Sequence, residues 1–195
     1  MNSTVLSAPR RHAEPDAAAV AGTGLWVFIG VASTLFFLFV SAYAMRMDRS
    51  TDWSQIGLPW QLWLSTALLL AGSVLLHQAS RTPDPQVARR RLLASGACAV
   101  AFLIVQLWGW QVLQAANVVL TGNPAASFFY VLTALHGLHV VGGLVGWGVA
   151  WRAPAPWRIA LCARYWHFLL AVWVVLFAAL GWLTPEVVDF ICGRR

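Results

Sequence analysis

A chain of 195 residues that is 59% hydrophobic and only 10% charged is far from a soluble domain, which carries about 25% charge. With a mean hydropathy of +0.68, the composition points to a membrane protein. All 13 basic residues are Arg, spread over short connectors with no basic face and no aromatic-interleaved groove, which argues against nucleic acid as a partner. The 12 tryptophans suit side chains that sit at bilayer interfaces. Cys98, Cys162 and Cys192 form no CxxC and no Cys/His cluster, so neither a zinc site nor a disulfide framework is expected. Cys98 and Cys162 fall in apolar runs and are expected to pack as small hydrophobes.

Residues 1–21, "MNSTVLSAPRRHAEPDAAAVA", are polar and Pro/Ala-rich, without the long apolar core of a signal peptide. They are expected to form a flexible cytoplasmic tail in which His12 is solvated. A helix needs about 20 apolar residues to cross a hydrocarbon core of about 30 Å, and five stretches of residues 22–195 qualify. They are Gly24–Met47, Leu58–Ser80, Arg91–Asn117, Ala126–Trp151 and Trp157–Leu183. Connectors carrying "DRSTDWSQIGLP", "RTPDPQVARR", "TGNP" and "RAPAP" are too short to separate domains. The predicted fold is therefore an all-α integral membrane bundle of five transmembrane helices. Placing the N-terminus inside puts nine arginines on the cytoplasmic side and four outside. This distribution predicts a cytoplasmic N-terminus and a periplasmic C-terminus.

No Asp, Glu or Lys lies deep in a predicted span. Ion-driven pumps and many transporters bind charge on intramembrane carboxylates, so a self-contained pump is disfavoured. The polar groups left in the spans include His77, Gln106, Gln111, Gln114, Asn117, His136, His139 and His167. Interhelical hydrogen bonding is the ordinary use of such amides. In span four, at about 100° per residue, His136, His139, Gly142, Gly143, Gly146 and Ala150 share one face. Gly142 and Gly146 form a GxxxG, which predicts a close helix crossing on the histidine face. Three uses of the histidines stay open at this level: haem ligation, as in a membrane di-haem cytochrome b, proton relay, and helix packing.

"SFFYVLTALHGLHVVGG" resembles the signature of subunit III of haem-copper oxidases, the cytochrome c oxidases and their quinol-oxidising relatives. "ARYWHFLLAVWVVLF" is similar to the second signature of that family, with Tyr165, Trp166, His167, Phe168 and Trp173 matching. "LWVFIGVASTLFFLFVSAY" resembles the family's opening helix, and all three follow in the family's order. The resemblance covers Gly24 to Leu183 and is to the short, five-helix bacterial form. It implies a non-catalytic subunit of a respiratory terminal oxidase in the bacterial inner membrane, supporting aerobic electron transport and proton uptake. It also implies no cofactor in this chain, with haem and copper in partner subunits I and II, and bound phospholipid as a further partner.

Two positions depart from the family pattern. Ala32 stands where the family has a buried Glu, and Leu170 stands where it has an Asp. An accessory subunit of a quinol oxidase or nitric oxide reductase complex is the alternative within this class. His136, His139, Tyr165, Trp166 and His167, with Gly142 and Gly146, are the candidates for helix packing or lipid contact. Arg89, Arg90, Arg91 and Arg164 are the candidates for phosphate headgroups.

Overall fold

The computed structural model describes residues 13–49, 53–54 and 56–191. Six helices follow one another: α1 (Ala13–Arg49), α2 (Gln61–Arg81), α3 (Pro85–Ala115), α4 (Pro124–Arg152), α5 (Pro156–Trp182) and the short α6 (Pro185–Ile191). No strand occurs among the described residues. Helices α1 to α5 are long and apolar enough to cross a membrane, so the fold is the all-α, five-span bundle expected, with one added seven-residue helix after them.

Helix starts are set by local chemistry. Pro85, Pro124 and Pro156 occupy first-turn positions, where a missing N–H costs nothing and the fixed φ favours the helix. Asp84 caps α3, its carboxylate accepting from the Gln86 N–H at 2.8 Å. Asn123 caps α4 by accepting from the Ala125 N–H at 2.6 Å. The Asp84 cap places the start of α3 at Pro85, ahead of the expected Arg91. At its far end α3 stops because Asn117 adopts φ 59°. This lets the Val118 N–H return to the Leu113 carbonyl at 3.0 Å, closing the helix with a left-handed residue.

Two expectations change. α1 begins at Ala13, so residues 13–21, expected as tail, are helical; the Ala-rich run continues the span rather than preceding it. Residues 1–12, with His12, lie outside the described residues, as do Cys192, Arg194 and Arg195. The amides Gln111, Gln114 and Asn117 are exposed and make no interhelical side-chain bond among the described residues; Asn117 terminates α3 instead.

Helix α5 is central. It packs on α2, α4 and α1, while α2 and α3 form a tight hairpin and α3 also meets α4. Trp166, Leu169, Trp173 and Leu176 of α5 are fully buried. α1 is peripheral; among the described residues it packs on no helices but α4, α5 and α6. Over an 18-residue apolar stretch of α1, 11% of residues are buried, against 39% over such a stretch in each of the other four. The short connectors alternate helix direction, so Arg81, Arg89, Arg90, Arg91, Arg152, Arg158 and Arg164 all gather towards one end of the bundle.

Candidate functional site

The histidines of the spans fall into two places. His136 of α4 is fully buried inside a box of rings from three other helices. Trp173 of α5 lies at 5.2 Å between centroids, Phe102 of α3 at 5.8 Å and Phe36 of α1 at 6.3 Å. Neither of its ring nitrogens has a hydrogen-bond partner among the described residues. An unpaired polar group in an apolar site is costly, about 1–3 kcal/mol by protein mutational data. His136 therefore fills volume and contributes no bond. His136→Leu is expected to leave unfolding stability unchanged or to raise it by up to about 2 kcal/mol, read from denaturant or thermal unfolding of the solubilised protein. A loss larger than about 1 kcal/mol would mean that the imidazole holds a hydrogen bond after all.

His139, one turn on, turns its Nδ1 back to the Leu135 carbonyl at 2.7 Å and meets Phe36 and Phe28 of α1 at 5.2 and 5.8 Å. The Tyr165 hydroxyl of α5 donates to the His139 carbonyl at 3.0 Å. So α5 is tied to α4 through the backbone of His139, not through its ring. Ala32, buried at 3% exposure, lies on the same α1 stripe as Phe28 and Phe36 at four-residue spacing. A methyl thus occupies the position where the resemblance leads one to look for a carboxylate.

His167 does not join α4. Its Nδ1 meets Ser73 Oγ of α2 at 2.6 Å, and its Nε2 meets Nδ1 of His77, also on α2, at 3.2 Å. Nearby, the Trp173 indole N–H donates to Thr66 Oγ1 of α2 at 2.8 Å. Trp166 is fully buried, with its indole nitrogen beside Gly72 of α2. The "YWHF" stretch therefore splits its roles: Tyr165 holds α4, while Trp166 and His167 hold α2.

The glycine expectation is corrected. A Cβ on Gly142 or Gly146 would meet nothing within 4 Å, and both residues are exposed. The close crossing belongs to Gly143, where a Cβ would stand 2.8 Å from Trp166 and 3.0 Å from Tyr165. The buried stripe of α4 runs through His136, Val140, Gly143 and Ala150, rotated away from the GxxxG pair. Gly146 and Gly143 instead line a groove of about 410 Å³ between α1, α4 and α5, walled by Leu25, Val149 and Leu161, with Trp157 and Arg158 at the arginine-rich end. A second groove beside α1 includes Arg164, Trp26 and Trp157.

Another contact had no signal of its own in the sequence. Trp147 of α4 lays its indole directly against Gly96 of α3 and donates to the Leu92 carbonyl at 2.7 Å. Trp151 stacks on Trp147 at 16°, and the Arg89 guanidinium sits 4.7 Å over the Trp151 ring, a cation–π contact. Arg91 donates to the Thr82 hydroxyl and the Gln78 carbonyl, bracing the α2–α3 turn. Arg90 and Arg164 are exposed.

A bundle of five helices long and apolar enough to cross a membrane, joined by contacts such as Tyr165–His139, His167–Ser73 and Trp173–Thr66, is a multi-pass membrane protein. The known proteins it resembles agree. Cytochrome c oxidase subunit 3 of Thermostichus vulcanus is 29% identical over 196 residues, covering 93% of this chain and 94% of that protein. The protein of the same name from a Synechocystis species is 30% identical over 195 residues, covering 91% and 81%. A probable cytochrome c oxidase subunit 3 of Mycobacterium tuberculosis is 25% identical over 175 residues, covering 82% and 85%. No family model matches the chain. On the identity and coverage of these relatives, the chain belongs to the cytochrome c oxidase subunit 3 family, and it is subunit III of a haem-copper oxidase.

Proposed function

We propose that this chain acts as a non-catalytic subunit, packed on oxidase subunits I and II in a bacterial inner membrane, with its N-terminus cytoplasmic and its redox centres, haem and copper, in those partners. The observation that carries this is how its own imidazoles are used. His136 is enclosed by three aromatic rings, which leaves no open face at which a haem iron could approach. His139 is turned onto its own helix. A di-haem cytochrome b needs histidines from facing helices aimed into a shared gap, and neither α4 histidine is so aimed.

The contribution of the chain is then packing and lipid. The apolar groove between α1, α4 and α5 has the form of an acyl-chain site, and Arg158 and Arg164 beside it stand where headgroup phosphates would lie. With Ala32 and Leu170 in the two carboxylate positions, support of proton uptake comes through shielding of the catalytic subunit and not through a carboxyl at either position.

Affinity purification of the tagged chain in mild detergent is the test. The expected result is stoichiometric recovery of a haem-copper subunit, with lost turnover lifetime in complexes stripped of this chain. Recovery of the chain alone with a bis-histidine haem absorption band would overturn the proposal.

A further inference from the structure

His77 and His167 stand apart from the packing just described, because their nitrogens face each other at the edge of the bundle. His167 is exposed and His77 half-buried. Their depth can be placed from neighbouring arginines. His77 lies four residues before Arg81, and His167 three residues after Arg164, so each is within about 6 Å along its helix of a cation at the arginine-rich end. The pair is therefore at the boundary between headgroups and hydrocarbon, within reach of ions from water.

We propose that His77 Nδ1 and His167 Nε2 form a two-imidazole site for a divalent transition metal of the zinc class, on the α2–α5 seam at the arginine-rich end. The spacing fits. Two imidazole nitrogens each about 2.0–2.1 Å from one zinc stand about 2.9–3.4 Å apart, between the octahedral and tetrahedral limits; the observed separation is 3.2 Å. The ring centroids, 5.2 Å apart and tilted by 55°, leave both nitrogens on the near side of their rings.

Ser73 completes the case. Its hydroxyl contacts Nδ1 of His167 at 2.6 Å, the outer partner that fixes the tautomer and orientation of a metal-binding imidazole. With the proton of His167 on Nδ1 and donated to Ser73, its Nε2 presents a lone pair. The Nδ1 of His77 can then present another once its proton moves to Nε2. Metal entry thus needs only a change of tautomer at His77, and no net proton is released. The helices are already joined by Trp166 beside Gly72 and by the Trp173–Thr66 bond, so the ligands are held on rigid elements. Water fills the remaining positions. Such a site would staple α2 to α5 at their exposed edge, independently of the redox metals assigned to the partner subunits. The residues lie 90 positions apart in the chain, which is why no ligand spacing marks the site in the sequence.

The test uses the purified complex, stripped with chelator and titrated with Zn²⁺ against a chromophoric competitor. One zinc per chain is expected to disappear in His77→Gln and in His167→Gln, while His139→Gln keeps it. Ser73→Ala is expected to weaken binding about tenfold. Equal zinc stoichiometry in all four proteins would overturn the proposal. Should the glutamine variants fail to assemble, the wild-type complex still decides: zinc is expected to protect His77 and His167, and not His139, from diethylpyrocarbonate. Equal modification with and without zinc would sink the site.

Discussion

Gly143→Leu is expected to destabilise the α4–α5 contact by about 3 kcal/mol and to lower recovery of the assembled subunit sharply, whereas Gly142→Leu and Gly146→Leu leave the fold of the chain intact. The reason lies in what a side chain would strike. A single Cβ at 143 already stands 2.8 Å from Trp166, 3.0 Å from Tyr165 and 3.2 Å from Leu169. All three are buried in the central helix, and Trp166 lies between α4 and Gly72 of α2. Nothing there can move without disturbing a second interface. A displaced Tyr165 also loses its bond to the His139 carbonyl, leaving the Tyr165 hydroxyl without its partner. At 142 and 146 the Cβ meets open space. Thermal unfolding of the three solubilised variants, read by circular dichroism, separates the positions. Equal loss in all three would mean that the GxxxG pair carries the crossing and that the position of α4 is wrong.

That contrast shows where the sequence was legible. Five spans could be counted because twenty-residue apolar runs have one physical use, and the family could be approached through Tyr165, Trp166, His167 and the two α4 histidines because motif order survives divergence. Helical phase was less legible. A face drawn at about 100° per residue contains six candidate residues on α4, but which edge of it is buried depends on where α5 lies. In the structure His136 and Gly143 turn inward while Gly142 and Gly146 turn out. Partners were less legible still. His167, expected at helix packing or lipid contact, bonds to Ser73 and His77 of α2, a choice fixed by the crossing of α2 and α5 and by no local pattern. Arg91, expected at phosphate, is engaged by the α2–α3 turn, because Asp84 and Pro85 start α3 early enough to bring it there.

Gly96→Val is expected to cost about 3 kcal/mol, and the loss is expected to be rescued in part by Trp147→Ala. Gly96 is the one place where α3 admits the Trp147 indole of α4, and a β-branched side chain cannot share that space. Displacing the ring also breaks its donation to the Leu92 carbonyl and unseats Trp151, on which Arg89 rests. A chain of contacts from α3 to α4 at the arginine-rich end thus depends on one missing methyl. Trp147→Ala alone removes a partly buried indole and one hydrogen bond, so it too destabilises, by about 2 kcal/mol. In the double variant the clash is gone, and its cost should fall short of the sum of the singles by about 1–3 kcal/mol. Unfolding free energies of the four proteins give the coupling directly. Additive losses would mean that Gly96 and Trp147 act separately. Strong coupling would fix the α3–α4 crossing, and with it the end of the bundle where Arg89 and Trp151 meet the membrane surface.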